Sequence, residues 1–284
     1  MQTHALARIA ATALKREARL TPKPGLVDAR GSGPHTDMDL SLLLASAETL
    51  EPFFAEIAEA AGSLPWGVAL REEIGALGRR ADAAMLADTG GVNTHRGALW
   101  ALGLLVAGAA SARSNEAHDI ASRAGFLARL PDRFACQQTT SHGRLVARRY
   151  GTTGARGEAQ AGFPHVVRVA LPLLRGLEAS EVDRQLGALL ASMSRLADTC
   201  VLYRGGRRGL RLVQDGARRV LAAGGATHPA GRRELAALDV ELCAARLSPS
   251  GSADVLSAAL FLETLGAYEE RSDRRDPGAV PCRS

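Results

Sequence analysis

Aromatic residues and lysine are both scarce in this chain. Phe, Trp and Tyr make up 4% of the 284 residues, and of 35 basic residues only Lys15 and Lys23 are lysine. Because hydrophobic residues still reach 46%, the core must be built mainly from Ala, Leu and Val, a mixture that favours closely packed helices. Few aromatic side chains are left to stack on bases, which argues against a single-stranded nucleic-acid binder.

The chain also lacks paired cysteines and long apolar runs. Cys136, Cys200, Cys243 and Cys282 form no C-x-x-C pair, which argues against structural zinc and against a disulfide framework. The N-terminus has no charged segment followed by an apolar run, so we expect no signal peptide. The most apolar segment, 98–112, is too short to span a bilayer. We therefore expect a soluble, cytoplasmic protein that does not bind membranes.

The net charge of +5 and the pI near 9.4 leave open what the protein binds. A general bias toward arginine explains the charge most simply, whereas attraction of a polyanionic ligand is the alternative. The arginines are dispersed along the sequence, and no zinc finger, RNP-like motif or other nucleic-acid module occurs. We expect no nucleic-acid partner, and a non-catalytic nucleic-acid-binding protein is kept only as a rival interpretation.

Helical periodicity dominates the chain and predicts an all-α fold. Helices are predicted over 2–19, 38–61, 67–88, 94–112, 114–130, 137–149, 156–176, 180–199, 207–223, 230–246 and 251–270. Pro52 is expected to kink or break the second helix, and 166–171, which has strand propensity, is assigned to a helix because it is isolated. Without repeats or a linker, we expect one catalytic domain over 1–270, with polar Gly-rich loops forming the active site, and a flexible tail over 271–284.

The first polar island reads Thr-Pro-Lys-Pro-Gly-Leu-Val-Asp at 21–28 and Gly-Ser-Gly-Pro-His-Thr-Asp-Met-Asp at 31–39. Two prolines stiffen the backbone on either side of Lys23, which suits a lysine that must meet a phosphate. A rigid turn with a solvated lysine is an equal alternative. Asp28 follows an apolar pair, so we expect it to be partly buried.

His35, Asp37 and Asp39 occupy alternate positions of this island. In an extended segment alternate side chains point to the same side. An imidazole and two carboxylates on one side could hold a divalent cation or position a hydroxyl. The simpler alternative is that Asp37 or Asp39 caps the next helix, and capping does not exclude a second role.

The second polar island is Gly-Gly-Val-Asn-Thr-His-Arg-Gly at 90–97. Asn93 or Thr94 is expected to cap the following helix, whose first N–H groups carry a partial positive charge. With Arg96 beside them, these amides predict an anion site, although the Walker pattern is absent. His95 either packs locally or takes part in chemistry.

Three further loops place polar residues beside glycine at helix entries, at 151–158, 198–206 and 248–254. Each is a weak signal alone, because Gly-rich turns with arginine are common. Together with the two islands they give five polar clusters, which is more than folding requires. The candidates that they add are Arg156, Glu158, Arg204, Ser252 and Asp254.

The two islands, with Gly-Thr-Thr-Gly-Ala-Arg-Gly-Glu-Ala at 151–159 and Ser-Pro-Ser-Gly-Ser-Ala-Asp at 248–254, resemble the triphosphoribosyl-dephospho-CoA synthase family over roughly residues 15–265. Pro34 departs from the small residue expected there. The resemblance implies an enzyme that joins ATP to 3′-dephospho-CoA, releases adenine and makes 2′-(5″-triphosphoribosyl)-3′-dephospho-CoA. It implies that a phosphoribosyl-dephospho-CoA transferase then passes this product to an acyl carrier protein, that of malonate decarboxylase rather than citrate lyase. A homodimer is left open.

The resemblance also implies roles for the polar residues. The candidates for catalysis are His35, Asp28, Asp37, His95 and Glu158; those for nucleotide binding are Lys23, Gly91, Asn93, Thr94, Arg96, Arg156, Arg204 and Ser252; those for Mg²⁺ are Asp37, Asp39 and Asp254. Cleavage of the N-glycosidic bond is expected to pass through an oxocarbenium-like transition state. A helical metal-dependent hydrolase of ADP-ribose-type ligands would use similar residues, with water as acceptor, and is the enzymatic alternative.

Overall fold

The computed structural model describes residues 3–112, 114–135, 142–176 and 178–275. Within these ranges the chain forms twelve α-helices and no strand, which confirms the all-α prediction. The helices are α1 (Thr3–Arg19), α2 (Leu40–Ser63), α3 (Val68–Asp88), α4 (Arg96–Ser111), α5 (Ala117–Arg129), α6 (His142–Tyr150), α7 (Gly154–Gln160), α8 (Leu171–Gly176), α9 (Glu181–Met193), α10 (Thr199–Ala222), α11 (Pro229–Ala244) and α12 (Ser250–Arg275). A π-helical turn (Val166–Ala170) precedes α8. None of the helices so described is both long and apolar enough to cross a membrane.

The alanine-rich pattern builds helices with a buried face. In α1, Leu6, Ile9, Ala10 and Leu14 recur every three or four residues and are all buried. That spacing puts them on one side of a helix, where they pack against α2, α4 and α12. The polar side of α1 faces solvent, so the helix is held mainly by burial of this stripe.

Helices α4 and α12 form the centre of the fold. Nearly all side chains of α4 from Ala98 to Ala109 are buried, as are those of α12 from Val255 to Leu262. Helix α4 contacts α1, α2, α3, α5 and α12, while α12 also contacts α8 and α9. Both helices begin with polar residues. Their N-terminal turns line one cavity together with the loops that carry the polar islands.

Two predicted helices are shorter or divided in the structure. The helix predicted over 180–199 ends at Met193, because Asp198 instead caps α10 and accepts the backbone N–H groups of that helix. The helix predicted over 156–176 is divided between α7 and the π-helical turn. Pro164 lies in this gap, and it has no N–H to continue a hydrogen-bonded helix.

Other boundaries also differ from the prediction. Helix α2 runs uninterrupted through Pro52, which corrects the expected break. Helix α12 extends to Arg275, beyond the predicted end at 270, and the rest of the predicted flexible tail lies outside the described residues. Helix α6 begins at His142, and the first part of the helix predicted over 137–149 also lies outside them.

Candidate active site

A cavity of about 380 Å³ collects the polar loops of the sequence. Its wall is formed by the end of α1, the loop before α2, the loop between α3 and α4, parts of α6 and α7, and the N-terminal turns of α4, α10 and α12. The volume falls within the range of small-molecule sites. Ten of the predicted site residues line it: Lys23, His35, Asp37, Asn93, Thr94, His95, Arg96, Glu158, Arg204 and Asp254.

Five predicted site residues are not part of the cavity wall. They are Asp28, Asp39, Gly91, Arg156 and Ser252. Asp39 is exposed and caps α2, where its carboxylate accepts the Leu42 N–H at 2.9 Å. Ser252 is buried behind the wall and donates its backbone N–H to Asp198 at 3.0 Å. These two residues thus support wall elements rather than face the cavity.

Lys23 is buried in an ion pair at the base of the cavity. Its side chain is 1% exposed, and Nζ lies 2.7 Å from Glu17 Oε1 and donates to the Glu17 carbonyl oxygen at 2.8 Å. An ammonium has three donors, so these two bonds leave one donor for another acceptor. Lys23 is therefore held in one place, as the flanking prolines suggested, but by a carboxylate that sequence analysis did not identify.

Asp28 organises the loop that carries Lys23. Its carboxylate accepts the Lys23 backbone N–H at 2.8 Å and pairs with the Arg30 guanidinium at 2.7 Å. Arg30 also reaches Asp239 at 2.9 Å and thereby ties this loop to α11. Burial would raise the pKa of Asp28, but the hydrogen bonds from Arg30 and the backbone lower it below its usual value.

His35 connects two segments of the cavity wall. Its Nε2 lies 2.9 Å from Ser248 Oγ, and its Nδ1 lies 3.6 Å from Asp37 Oδ1. Ser248 is buried, whereas the Asp37 side chain is 59% exposed. Burial, helped by the charge of Arg204, lowers the pKa of His35 against the opposing effect of Asp37. His35 is thus a neutral imidazole at neutral pH, able to accept a proton.

His95 occupies the N-cap position of α4 and is buried in the wall. Its Nδ1 lies 3.1 Å from Ser46 Oγ, which in turn lies 2.6 Å from Thr94 Oγ1. Its Nε2 is buried and has no hydrogen-bond partner among the described residues. Burial, with the charge of Lys23, lowers the pKa of His95 to about 4. Because buried polar atoms are rarely left unpaired, this nitrogen is the strongest local sign that a ligand completes the site.

Two carboxylates approach each other at the entries to α10 and α12. Asp198 is buried and accepts the N–H groups of Cys200 at 2.9 Å and of Ser252 at 3.0 Å. Asp254 lies directly over Gly97, where a Cβ atom would collide with the carboxylate. Burial raises the pKa of Asp254 well above its usual value, and the charges of Asp198 and Glu17 raise it further. No described cation forms an ion pair with Asp198 or Asp254, so neither carboxyl group has a counter-ion within the described part of the chain.

Two other predicted residues line the cavity with partners of their own. Arg96 forms a bidentate ion pair with Asp82 at 2.7 and 2.9 Å and is about half exposed. Glu158 accepts the backbone N–H of His165 at 2.7 Å and lies 2.7 Å from its Nδ1. Arg96 must therefore share or release Asp82 if it binds a phosphate.

Sequence reasoning missed several residues of the wall. Glu17 follows Leu14 by three residues on the apolar face of α1. A carboxylate on such a face indicates a buried polar group that needs a partner, and this could have been recognised from the sequence. His142 and Tyr203 carried no such signal. Their rings stack with centroids 3.8 Å apart at the edge of the cavity, and only the packing of α6 on α10 brings them together.

The described residues contain no group of three or more His, Cys, Asp or Glu side chains placed to hold a metal ion. Asp37, Asp39 and Asp254 therefore do not assemble into a ligand set of their own. A site for Mg²⁺ does not require one, since Mg²⁺ in nucleotide enzymes takes one or two carboxylates together with substrate phosphates and water. The pair Asp198 and Asp254 fits that requirement.

Comparison with known proteins identifies a family. A family model described as ATP:dephospho-CoA triphosphoribosyl transferase matches residues 3–273. A Pseudomonas fluorescens protein named probable 2-(5''-triphosphoribosyl)-3'-dephosphocoenzyme-A synthase is 53% identical, over 96% of this chain and 94% of its own length. The Klebsiella pneumoniae protein of that name, without the word probable, is 52% identical, over 91% of this chain and 93% of its own length.

A third relative, the probable synthase from Azotobacter vinelandii, is 54% identical over 91% of this chain and 90% of its own length. No solved structure matches the chain. The match of the family model covers nearly the whole chain, and the relatives share more than half of their aligned residues with it. The chain is therefore a transferase that belongs to the ATP:dephospho-CoA triphosphoribosyl transferase family.

Proposed function

We propose that the protein transfers the triphosphoribosyl group of ATP to the 2′-hydroxyl of 3′-dephospho-CoA. In this reaction the bond between C1′ of the ATP ribose and adenine breaks, and a bond between C1′ and the acceptor oxygen forms. The acceptor hydroxyl loses one proton and adenine takes one up, so the exchange is balanced. The observation that carries the proposal is the cavity with its neutral imidazoles and buried carboxylates, in a chain of this family.

His35 is the residue best suited to take the proton of the acceptor hydroxyl. Its imidazole is neutral at neutral pH, and Ser248 and Asp37 hold it from two sides. A general base must lie within hydrogen-bond reach of the proton that it accepts. His95 complements it, because its buried Nε2 has no partner within the described part of the chain and is available to hydrogen bond a substrate atom.

The charged groups of the wall divide into two roles. Arg96, the third donor of Lys23 and the N–H groups near Asn93 are candidates for the triphosphate. Asp198 and Asp254 would hold Mg²⁺, which when bound neutralises phosphate charge. Once deprotonated, these carboxylates also favour the positive charge that develops at C1′.

The product is a precursor of a prosthetic group, and we propose that it serves the acyl carrier protein of malonate decarboxylase rather than that of citrate lyase. The motif His-Thr-Asp-Met at 35–38 supports this choice. Loading of each carrier protein by a phosphoribosyl-dephospho-CoA transferase, supplied with this enzyme's product, distinguishes the two.

The test of the reaction is mass spectrometry after incubation of the protein with ATP, Mg²⁺ and 3′-dephospho-CoA. We expect the triphosphoribosyl adduct together with an equal amount of adenine, and no adenine when the acceptor is left out. Adenine release without the acceptor would instead identify a hydrolase. The absence of both adduct and adenine, with a folded protein, would refute the proposed reaction.

A further inference from the structure

The structure gathers arginines that are dispersed along the sequence onto one surface. Helix α6 and residues 199–214 of α10 carry seven arginines and no acidic residue. Six of them are exposed and form no ion pair with any carboxylate in the described part of the chain. These six, named here the arginine patch, are Arg148, Arg149, Arg204, Arg207, Arg208 and Arg211.

Several arginines of other helices are paired with carboxylates. Arg16 pairs with Glu181 and Glu263, Arg80 with Glu56, and Arg219 with Glu234 and Glu241. Later on α10 itself, Arg218 lies 2.6 Å from Asp215. Exposed arginines without an ion pair also occur elsewhere among the described residues, for example Arg8 and Arg233. The patch stands out because six of them lie on two adjoining helix segments that carry no carboxylate.

Two contacts make α6 and α10 a continuous surface. His142 stacks on Tyr203, and the hydroxyl of Tyr150 lies against the backbone of Gly206. Gly206 has a φ of 58° and kinks α10, a conformation that an L side chain rarely adopts. The kink separates Arg204, at the cavity, from the arginines that follow it.

The arginine patch begins at the mouth of the cavity. His142, Tyr203 and Arg204 belong to the cavity wall, and Arg204 is close enough to His35 for its charge to lower the pKa of that imidazole. Arg207, Arg208 and Arg211 follow on the same helix but do not line the cavity. A polyanion that leaves the cavity on this side thus meets guanidinium groups at once.

Unneutralised guanidinium groups raise the local positive potential, which concentrates polyanions and speeds their association. Guanidinium groups also bind phosphate oxygens in a bidentate manner. The cavity of about 380 Å³ is the size of a site for one drug-sized ligand, so two nucleotides do not fit inside it whole. The acceptor carries a diphosphate and a long pantetheine chain that do not react.

We propose that the arginine patch binds the 5′-diphosphate of 3′-dephospho-CoA outside the cavity, an inference that rests on the proposed function. The acceptor then enters from the side of α6 and α10, with its 2′-hydroxyl toward His35. The triphosphate of ATP is held by other groups of the wall, Arg96 and the start of α4. The patch acts on binding of the acceptor and not on the chemical step.

The test compares two double variants that each remove two positive charges. In Arg207→Gln/Arg208→Gln the charges are lost from the patch; in the control Arg8→Gln/Arg233→Gln they are lost from exposed arginines of α1 and α11, outside the cavity wall. We expect the patch variant to raise KM for 3′-dephospho-CoA about tenfold, with kcat and KM for ATP unchanged. Its KM for the acceptor should also depend less on salt, and the control should behave like the parent protein.

The inference would be overturned if the patch variant left KM for the acceptor unchanged, or if the control variant raised it equally. A rise in KM for ATP alone would also overturn it. Calorimetric titration with 3′-dephospho-CoA in the absence of ATP tests the patch without turnover. There we expect about tenfold weaker binding to the patch variant, and equal affinities would reject the patch. If the parent protein binds this ligand but makes no adduct with ATP, the proposed reaction fails while the patch stands.

Discussion

At the scale of single residues, the buried pair of Lys23 and Glu17 is the least expected feature of the site. Both side chains are at most 7% exposed, so each ion has lost most of its hydration. Breaking such a pair by removing one partner usually costs more than the pair contributed, because an uncompensated charge stays buried. The position of Lys23 in the cavity wall thus depends on Glu17 as much as on the two prolines beside it.

We expect Lys23→Met to lower the free energy of unfolding by about 3–5 kcal/mol, because Glu17 would then be buried without a counter-ion. The double variant Lys23→Met/Glu17→Leu should recover most of that loss. Denaturant unfolding of the parent, both single variants and the double variant gives the coupling between the two residues.

The exposed pair Lys15 and Glu48 provides the control. This ion pair joins α1 to α2, with Lys15 Nζ 3.0 Å from Glu48 Oε1, but the Glu48 side chain is 69% exposed. Lys15→Met should therefore cost less than about 1 kcal/mol. Equal losses for Lys15→Met and Lys23→Met would show that the burial of Lys23 has no energetic consequence.

His95 gives the stability of the protein a defined dependence on pH. Its pKa is about 4 in the folded protein against 6.5 as the ordinary value. Between these values the unfolded chain binds more protons than the folded one, so the free energy of unfolding falls as the pH is lowered from about 6.5. The loss contributed by His95 reaches about 3 kcal/mol near pH 4.

The variant His95→Gln lacks the titrating group, so its stability should decline less over this range than that of the parent protein. Denaturant unfolding at several pH values between about 7 and about 4 measures the difference. His118→Gln, on the exposed side of α5, should follow the parent curve. Parallel curves for His95→Gln and the parent would contradict a neutral, buried His95.

At the scale of elements, the first turn of α4 and the first turn of α12 can meet only because one of them carries glycine. The Asp254 carboxylate occupies the place that a Cβ atom of residue 97 would take. The sequence marked Gly97 as part of a polar island. It did not reveal that the residue opposite is Asp254, 157 positions later, since nothing local to either segment encodes their contact.

We expect Gly97→Ala to displace Asp254 and to reduce kcat about a hundredfold, the scale of a misplacement of about 1 Å at an active site. Overpacking of this kind also costs about 1–3 kcal/mol of stability. Gly78→Ala in α3 is the matched control, because nothing lies within 4 Å of the Cβ that it adds. It should raise stability slightly, by up to about 1 kcal/mol, and leave kcat unchanged.

Steady-state kinetics with ATP and 3′-dephospho-CoA, beside thermal unfolding, distinguish these outcomes. Full activity of Gly97→Ala would show that the position of Asp254 does not matter to the reaction. A loss of kcat in Gly78→Ala as large as that in Gly97→Ala would show that the effect is not local to the cavity.

At the scale of the whole molecule, the site is assembled from both ends and the middle of the chain. Lys23, His95 and Asp254 all line one cavity, and α1, α4 and α12 pack against one another beneath it. A ligand in the cavity thus touches segments that only the complete fold brings together. Its binding energy should stabilise the entire helical domain and not one part of it.

Saturation with 3′-dephospho-CoA at about a hundred times its Kd should add about 2.7 kcal/mol to the free energy of unfolding, a rise of several degrees in Tm for a domain of this size. Calorimetry should record a single unfolding transition, whose midpoint shifts to a higher temperature when the ligand is bound. Two separable transitions, of which only one moves, would contradict the expectation of a single domain over 1–270.

The sequence by itself determined that the protein is helical, where most helices lie and which loops carry chemistry, because periodicity, prolines and polar islands are local properties of the chain. It also pointed to the family, whose motifs are local as well. The tertiary structure decided which of those residues share a cavity and which partners they have. Ser248 beside His35, Asp254 over Gly97 and the gathering of arginines on α6 and α10 all depend on long-range packing. Glu17 lies only six residues before Lys23, but the burial of that pair is also set by the packing of the fold. Burial then shifted the pKa of several of these groups, since the protonation of a side chain depends on the groups that surround it in space, whether or not they are its neighbours in the chain.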